Sequence, residues 1–150
     1  MRILIALLAG IVVGCGSTPG PEHYEDLLDA LSVPASWELA HTDVRTPDSE
    51  TGCSTFMGNC PRVSRTYLVP GDPVDIYPVA KRLLTGAAFA IGLDTGPECD
   101  TPPSASACAI HGDLGEDTIS VSIFNPGEDP TGLGIADEGR SIVLVGAYPK

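Results

Sequence analysis

Between Glu22 and Leu31 the apolar side chains fall at Tyr24, Leu27, Leu28 and Leu31, the i, i+3, i+4, i+7 spacing of one helical stripe. Glu22, Glu25 and Asp26 load the first turns with negative charge, favourable at the positive end of the helix dipole, and Pro34 marks the end. The period then shortens to two. Ser36 to Val44 reads as a strand with Trp37, Leu39 and His41 on one face, and Arg62 to Val69 as a second, with Val63, Tyr67 and Val69 alternating. After the breaker Pro70-Gly71-Asp72-Pro73 a second helix is expected, firm from Pro78 because a proline further inside would delete a hydrogen bond. Val79, Leu83 and Leu84 are its core positions and Gly86 its left-handed cap.

Ala87 to Leu93 reads as a short strand. Cys108 to Leu114 and Thr118 to Phe124 form a hairpin about Gly115-Glu116-Asp117. Ile119, Val121 and Ile123 alternate with Thr118, Ser120 and Ser122, the cleanest period-two signal in the chain. Ser141 to Tyr148 is nearly continuous in apolar residues, the mark of a central strand. Residues 45–61, 94–107 and 125–140 are loops rich in Gly, Pro, Ser and Asp. The expected fold is α+β: a single antiparallel sheet with two helices packed on one face and loops stapled by disulfides.

The first residues obey a different rule. Met1-Arg2 is a short basic start, and Ile3 to Val13 is an apolar run too short to cross a bilayer as a helix but of the length of a signal-peptide core. Val12-Val13-Gly14-Cys15 comes next and resembles the bacterial lipobox, with Val where Leu is usual. The resemblance implies that residues 1–14 are a signal peptide, that Cys15 becomes the first residue and carries lipid, and that two or three acyl chains hold the protein stably on a membrane. Residues 15–21, Cys15 and the stretch Gly16-Ser17-Thr18-Pro19-Gly20-Pro21, then read as anchor and flexible tether, and 22–150 as one α+β domain. Six tether residues reach at most about 20 Å, so the domain stays close to the membrane. The implied location is the extracytoplasmic side of a bacterial cell membrane or envelope. Beyond the lipobox there is a loose likeness to small uncharacterised lipoproteins, which implies no activity.

Composition narrows the partners. Twenty acidic against eight basic side chains give a net charge of −12, which repels phosphate backbones and so excludes nucleic acid, and also discourages anionic lipid headgroups. Of the five cysteines, Cys15 is taken by lipid, leaving Cys53, Cys60, Cys99 and Cys108, an even number in an exported protein. Three pairings exist. Cys53–Cys60 and Cys99–Cys108 are the simplest, each stapling one loop. A four-cysteine zinc site is disfavoured by the C-x6-C and C-x8-C spacings, which exceed those of most structural sites. His23, His41 and His111 lack metal-binding spacing, although His41 and His111 lie in strands that could meet.

No G-x-S-x-G elbow, C-x-x-C redox pair, calcium loop or phosphate loop is present, and no cofactor is implied. Strand alternation turns Trp37, Leu39, Val63, Tyr67, Val69, Ile119, Val121 and Ile123 toward the helices. Glu38, Thr42, Arg62, Ser64, Thr66, Thr118, Ser120 and Ser122 then turn the other way. That second face, hydroxyl-rich and carrying Arg62, is the candidate binding surface for an envelope protein or glycan. The reading is a membrane-anchored, non-enzymatic binding or interaction module. A small extracytoplasmic hydrolase whose site assembles only in three dimensions, or a structural envelope protein, are the alternatives.

Overall fold

The computed structural model describes residues 19–46, 60–95 and 108–150. The elements run α1 (Pro21–Asp29), β1 (Glu38–Arg45), β2 (Arg62–Pro70), α2 (Pro73–Gly86), β3 (Ala90–Asp94), β4 (Cys108–Leu114), β5 (Asp117–Phe124) and β6 (Arg140–Pro149). The strands form one six-stranded sheet in the order β1-β2-β6-β5-β4-β3, antiparallel throughout. The α+β class expected from the chain is therefore correct. The apolar last strand, β6, lies between β2 and β5 as its composition suggested.

Both helices cover the same side of the sheet. α1 lies over β6 and β2, and α2 over β3, β4 and β5. The core between the layers joins Tyr24, Leu28 and Leu31 to Val63, Tyr67, Ile76, Leu84, Ile110, Ile119, Val121, Ile123, Val143 and Val145. The register lines these side chains up across strands: Ile119 opposes Ala147, Val121 opposes Val145 and Ile123 opposes Val143. Alternate residues of every central strand thus lose their apolar surface to one layer of helices, the arrangement that drives this packing.

Several local expectations need correction. α1 begins at Pro21, one residue before the expected start, where the missing N–H has no helical partner to lose. α2 is continuous from Pro73, with Pro78 inside it. Pro78 offers no N–H to the carbonyl four residues back, which belongs to exposed Val74. Gly86 is not the left-handed cap but the last helical residue. Ala88 takes the left-handed conformation instead, at φ 65°. The N–H of Ala88 reaches Thr85 O and that of Phe89 reaches Leu84 O, which is a Schellman closure.

In β1 an irregularity between Leu39 and His41 shifts the register. The extra residue reverses the facing of the rest of the strand. Thr42 opposes Arg65 on the helix side, whereas His41 opposes Thr66 on the other. Thr42 therefore leaves the candidate face, and His41 does not share the face of Leu39. His41 and His111 do not approach each other either. They lie on β1 and β4, four strands apart in the sheet order, or about 19 Å at the usual spacing.

The second face is also not wholly bare. Residues 125–140 fold over its end at Arg140, where Leu68, Phe124 and Ile142 are buried together with Ile135 and Leu144 packed against them. Asp129 organises this loop. Its carboxylate accepts from the Thr131 hydroxyl at 2.5 Å and from the N–H groups of Thr131, Gly132, Gly134 and Ile135 at 2.7–3.2 Å.

Of the cysteines, Cys60 and Cys108 are described and both are buried. Cys60 lies just before β2, at the end of the sheet where Val63 meets Ala147. Cys108 opposes Ile123, which opposes Val143 and so Tyr67, at the other end and three strands away. At about 3.3 Å per residue and 4.8 Å per strand their separation exceeds 20 Å. A disulfide spans at most about 7 Å between Cα atoms, so these two are not joined to each other. Cys15, Cys53 and Cys99 lie outside the described residues.

Candidate functional site

The side of the sheet away from the helices is built by alternation alone. On β2 it carries Arg62, Ser64 and Thr66, and on β5 Thr118, Ser120 and Ser122. Of the eight residues assigned to it from the sequence, all but Thr42 share this face. Between the two strands β6 contributes Leu144, Gly146 and Tyr148. Gly146 stands opposite both Ser64 and Ser120. A Cβ placed there would meet Ser120 Oγ at 3.3 Å and Ser64 Oγ at 3.4 Å. Glycine thus floors a shallow trough over which two hydroxyls converge. Among the described residues the hydroxyls of Ser64, Ser120 and Ser122 make no hydrogen bond within the protein.

The charge on this face is unevenly matched. Arg65, Lys81, Arg140 and Lys150 each hold an acidic partner at 3.0 Å or closer. Arg62 holds none among the described residues, and its Nε is buried without a hydrogen-bond partner. Arg45 stands directly opposite it on β1. Arg45 Nε lies 3.4 Å from Asp43, two residues back on the same face. Like charges placed opposite each other across a strand pair repel, so this pair weakens the sheet unless something anionic sits between them.

Beyond Ser120 the trough continues to a corner hollow of about 350 Å³, lined by Leu93, His111, Asp113, Thr118, Tyr148 and Lys150. Asp113 accepts from Lys150 Nζ at 2.7 Å and from the Thr118 hydroxyl at 2.8 Å. Those two bonds, the Lys150 bond first, hold its carboxyl below the ordinary carboxylate value. The same contact raises Lys150. His111 stands directly opposite Ser120, with Asp113 two residues on. No hydrogen bond joins His111 to either among the described residues. Sequence reading left His111 and Asp113 out of the candidate face. Their signal was available, because both fall in register with Ser120 and Thr118 across the hairpin.

A second hollow, about 370 Å³, opens between the helices and is lined by Ala30, Ser32, Pro34, Val79, Arg82, Leu83, Gly86 and Ala87. It holds no convergent polar groups besides Arg82 and Ser32. Tyr77 donates to Asp94, and Lys81 reaches the same carboxylate at 2.7 Å, which ties α2 to β3. Burial first, then Asp94, raises the Tyr77 hydroxyl above its ordinary value. This cluster is satisfied internally and serves to hold the helix. Among the described residues no three His, Cys, Asp or Glu side chains gather in a way that would hold a metal ion. Nor is any described helix long and apolar enough to cross a membrane. The chain matches no family model, no curated protein and no solved structure.

Proposed function

We propose that the protein is a lipid-anchored, extracytoplasmic binding module of the bacterial envelope, and that the sheet face opposite the helices is its contact surface for a polar glycan. One observation carries the second part: the hydroxyls of Ser64, Ser120 and Ser122 and the guanidinium of Arg62 share one face and are unengaged among the described residues. Polar groups left without internal partners on an ordered, rigid face are ready to bond a hydroxylated ligand at little ordering cost.

The anchor rests on the Val12-Val13-Gly14-Cys15 motif. The tether would enter the domain at α1, whose His23 Nε2 is 2.9 Å from Asp117 at the start of β5. That brings the Arg62 end of the trough nearest the membrane, since Arg62, Thr118 and Tyr148 share that end of the sheet. Incorporation of labelled fatty acid into wild type but not into Cys15→Ser is the expected result, and equal labelling ends the anchor proposal.

Disulfides Cys53–Cys60 and Cys99–Cys108 belong to the same reading. Their support is that Cys60 and Cys108 are buried and stand too far apart to pair with each other. That geometry removes one of the three pairings outright.

The hydrolase alternative draws on Ser120 facing His111 with Asp113 near it. Two facts weigh against it. Both Asp113 oxygens are taken by Lys150 and Thr118, so no carboxylate is spare to orient the imidazole. The backbone N–H groups around Ser120 are consumed in the β4–β5–β6 ladders, which leaves no oxyanion donors beside it.

The test of the face is co-sedimentation of the purified protein with protein-free envelope polysaccharide. Wild type and the loop control Leu133→Arg should sediment, and Ser120→Arg, which fills the trough, should not. Equal retention of all three removes the face from consideration.

A further inference from the structure

We infer that Arg62, with Arg45 opposite it, forms an anion subsite at one end of the trough, and that it takes the carboxylate of an acidic sugar within the glycan. The inference rests on the sheet face being the binding surface, and adds the chemistry of what that surface holds.

Three observations converge. The chain has a net charge of −12, yet the guanidinium of Arg62 has no acidic partner among the described residues. Its Nε is buried and unbonded, a donor withdrawn from water with nothing among the described residues to receive it. Arg45 is its direct cross-strand neighbour, so two positive side chains share one end of the face, with Asp43 engaging Arg45 alone. Arg45 meets Asp43 through Nε, which leaves its terminal N–H groups for a ligand. A carboxylate between the two guanidiniums would relieve their repulsion and accept from their terminal N–H groups, the charge-assisted bonds that arginine favours. Ser64, two residues from Arg62 on the same face, and Ser120 across Gly146 would then reach the neighbouring hydroxyls of the sugar ring.

The same charge balance selects among anions. A densely charged polyanion would meet the field of a chain with twenty acidic side chains. An anionic bilayer would also meet Glu116 and Asp117, at the same end of the sheet as Arg62. An isolated carboxylate on an otherwise neutral saccharide meets the two arginines against the single nearby carboxylate of Asp43.

The experiment uses the full mature chain and a glucuronate-bearing trisaccharide, its neutral methyl ester, inorganic phosphate, and vesicles with and without anionic lipid, in calorimetric titrations. The acid should bind at least tenfold tighter than the ester. Arg62→Gln should abolish that preference with an unchanged melting temperature, Arg45→Gln should reduce it, and Ser120→Arg should weaken acid and ester alike. Equal affinity for acid and ester, an undiminished preference in both arginine variants, or tighter binding of phosphate or anionic vesicles than of the acid overturns the subsite. If the trisaccharide arms fail while Ser120→Arg still abolishes polysaccharide sedimentation, the face stands and the anion subsite falls. If Ser120→Arg sediments like wild type, the face itself falls.

Discussion

Arg65 Nη2 lies 2.6 Å from Asp29 Oδ1, joining the helix-facing side of β2 to the last residue of α1. The pair answers an unfavourable placement. Asp29 puts a negative charge at the negative end of a helix dipole, and Arg65 neutralises it. Arg65 is largely covered while Asp29 is mostly exposed, so the arginine's stem contributes packing as well as charge. Arg65→Ala should therefore cost about 1 kcal/mol, reduced from a buried-pair value because water reaches Asp29. Asp29→Asn should cost less or nothing. Chemical denaturation of the two variants checks the order, and a larger loss from Asp29→Asn would show that the contact does not act through the helix end.

Ala88 and Gly112 are linked through Phe89. The left-handed Ala88 turns the chain so that Phe89 packs back on Leu84, and a Cβ at Gly112 would stand 2.9 Å from Phe89 Cβ. Ala88→Gly removes the Cβ penalty of the left-handed region and should stabilise the fold by about 0.5–1 kcal/mol. Gly112→Ala should destabilise by about 1–3 kcal/mol, because the clash is with a buried Cβ that cannot swing aside. Thermal melts of both variants decide the matter. A neutral Gly112→Ala would mean that β4 and the α2–β3 turn shift together without strain.

Helical spacing located both helices, alternation located β2 and β5, and a nearly continuous apolar run located β6. Facing was legible only where the register runs unbroken. Ser120 and Ser122 alternate cleanly with Ile119, Val121 and Ile123, and the structure keeps them so. In β1 the irregularity after Leu39 turned Thr42 to the helix side, and nothing in Glu38–Arg45 marks an extra residue. Arg65 fell on the helix side by the same alternation that placed Ser64 and Thr66 opposite, and its meaning depended on Asp29, 36 residues away. Pairings of that kind, like Arg140 with Glu38 and Lys150 with Asp113, arise from tertiary proximity and leave no local trace. The cover of Leu68, Phe124 and Ile142 by residues 125–140 was hidden because a Gly/Pro/Asp loop shows no apolar period.

Asp129 makes acid stability testable. The Thr131 hydroxyl first, then backbone N–H groups, hold its carboxyl below the ordinary value of 3.8. The N–H of Gly139 and the side chain of Arg140 do the same for Asp137, and Lys150 and Thr118 for Asp113. A carboxyl whose folded value is depressed contributes stability that is fully present above its unfolded value and is lost as pH falls through the folded one. Melting temperature should therefore hold steady toward neutral pH and fall below about 3.8, as these groups protonate. Asp129→Asn should melt lower than wild type at pH 7, with the gap narrowing as pH drops below that value. A gap that stays constant with pH would assign the loss to shape rather than charge.

The last prediction concerns the cysteines. With Cys60 and Cys108 at opposite ends of the sheet, two pairings survive: Cys53–Cys60 with Cys99–Cys108, or Cys53–Cys108 with Cys60–Cys99. The second would draw both flanking loops across the width of three strands, from one end of the sheet to the other. The first asks each loop only to close on its own base, over six or eight intervening residues. Loop closure is entropically cheapest over short spans, which favours the local pairs. Non-reducing peptide mapping of the exported protein should recover Cys53 with Cys60 and Cys99 with Cys108. Reduction should then lower stability by about 2–3 kcal/mol per bridge in the chain-entropy model. A peptide joining Cys53 to Cys108 would overturn the local pairing and would place residues 47–59 and 96–107 side by side.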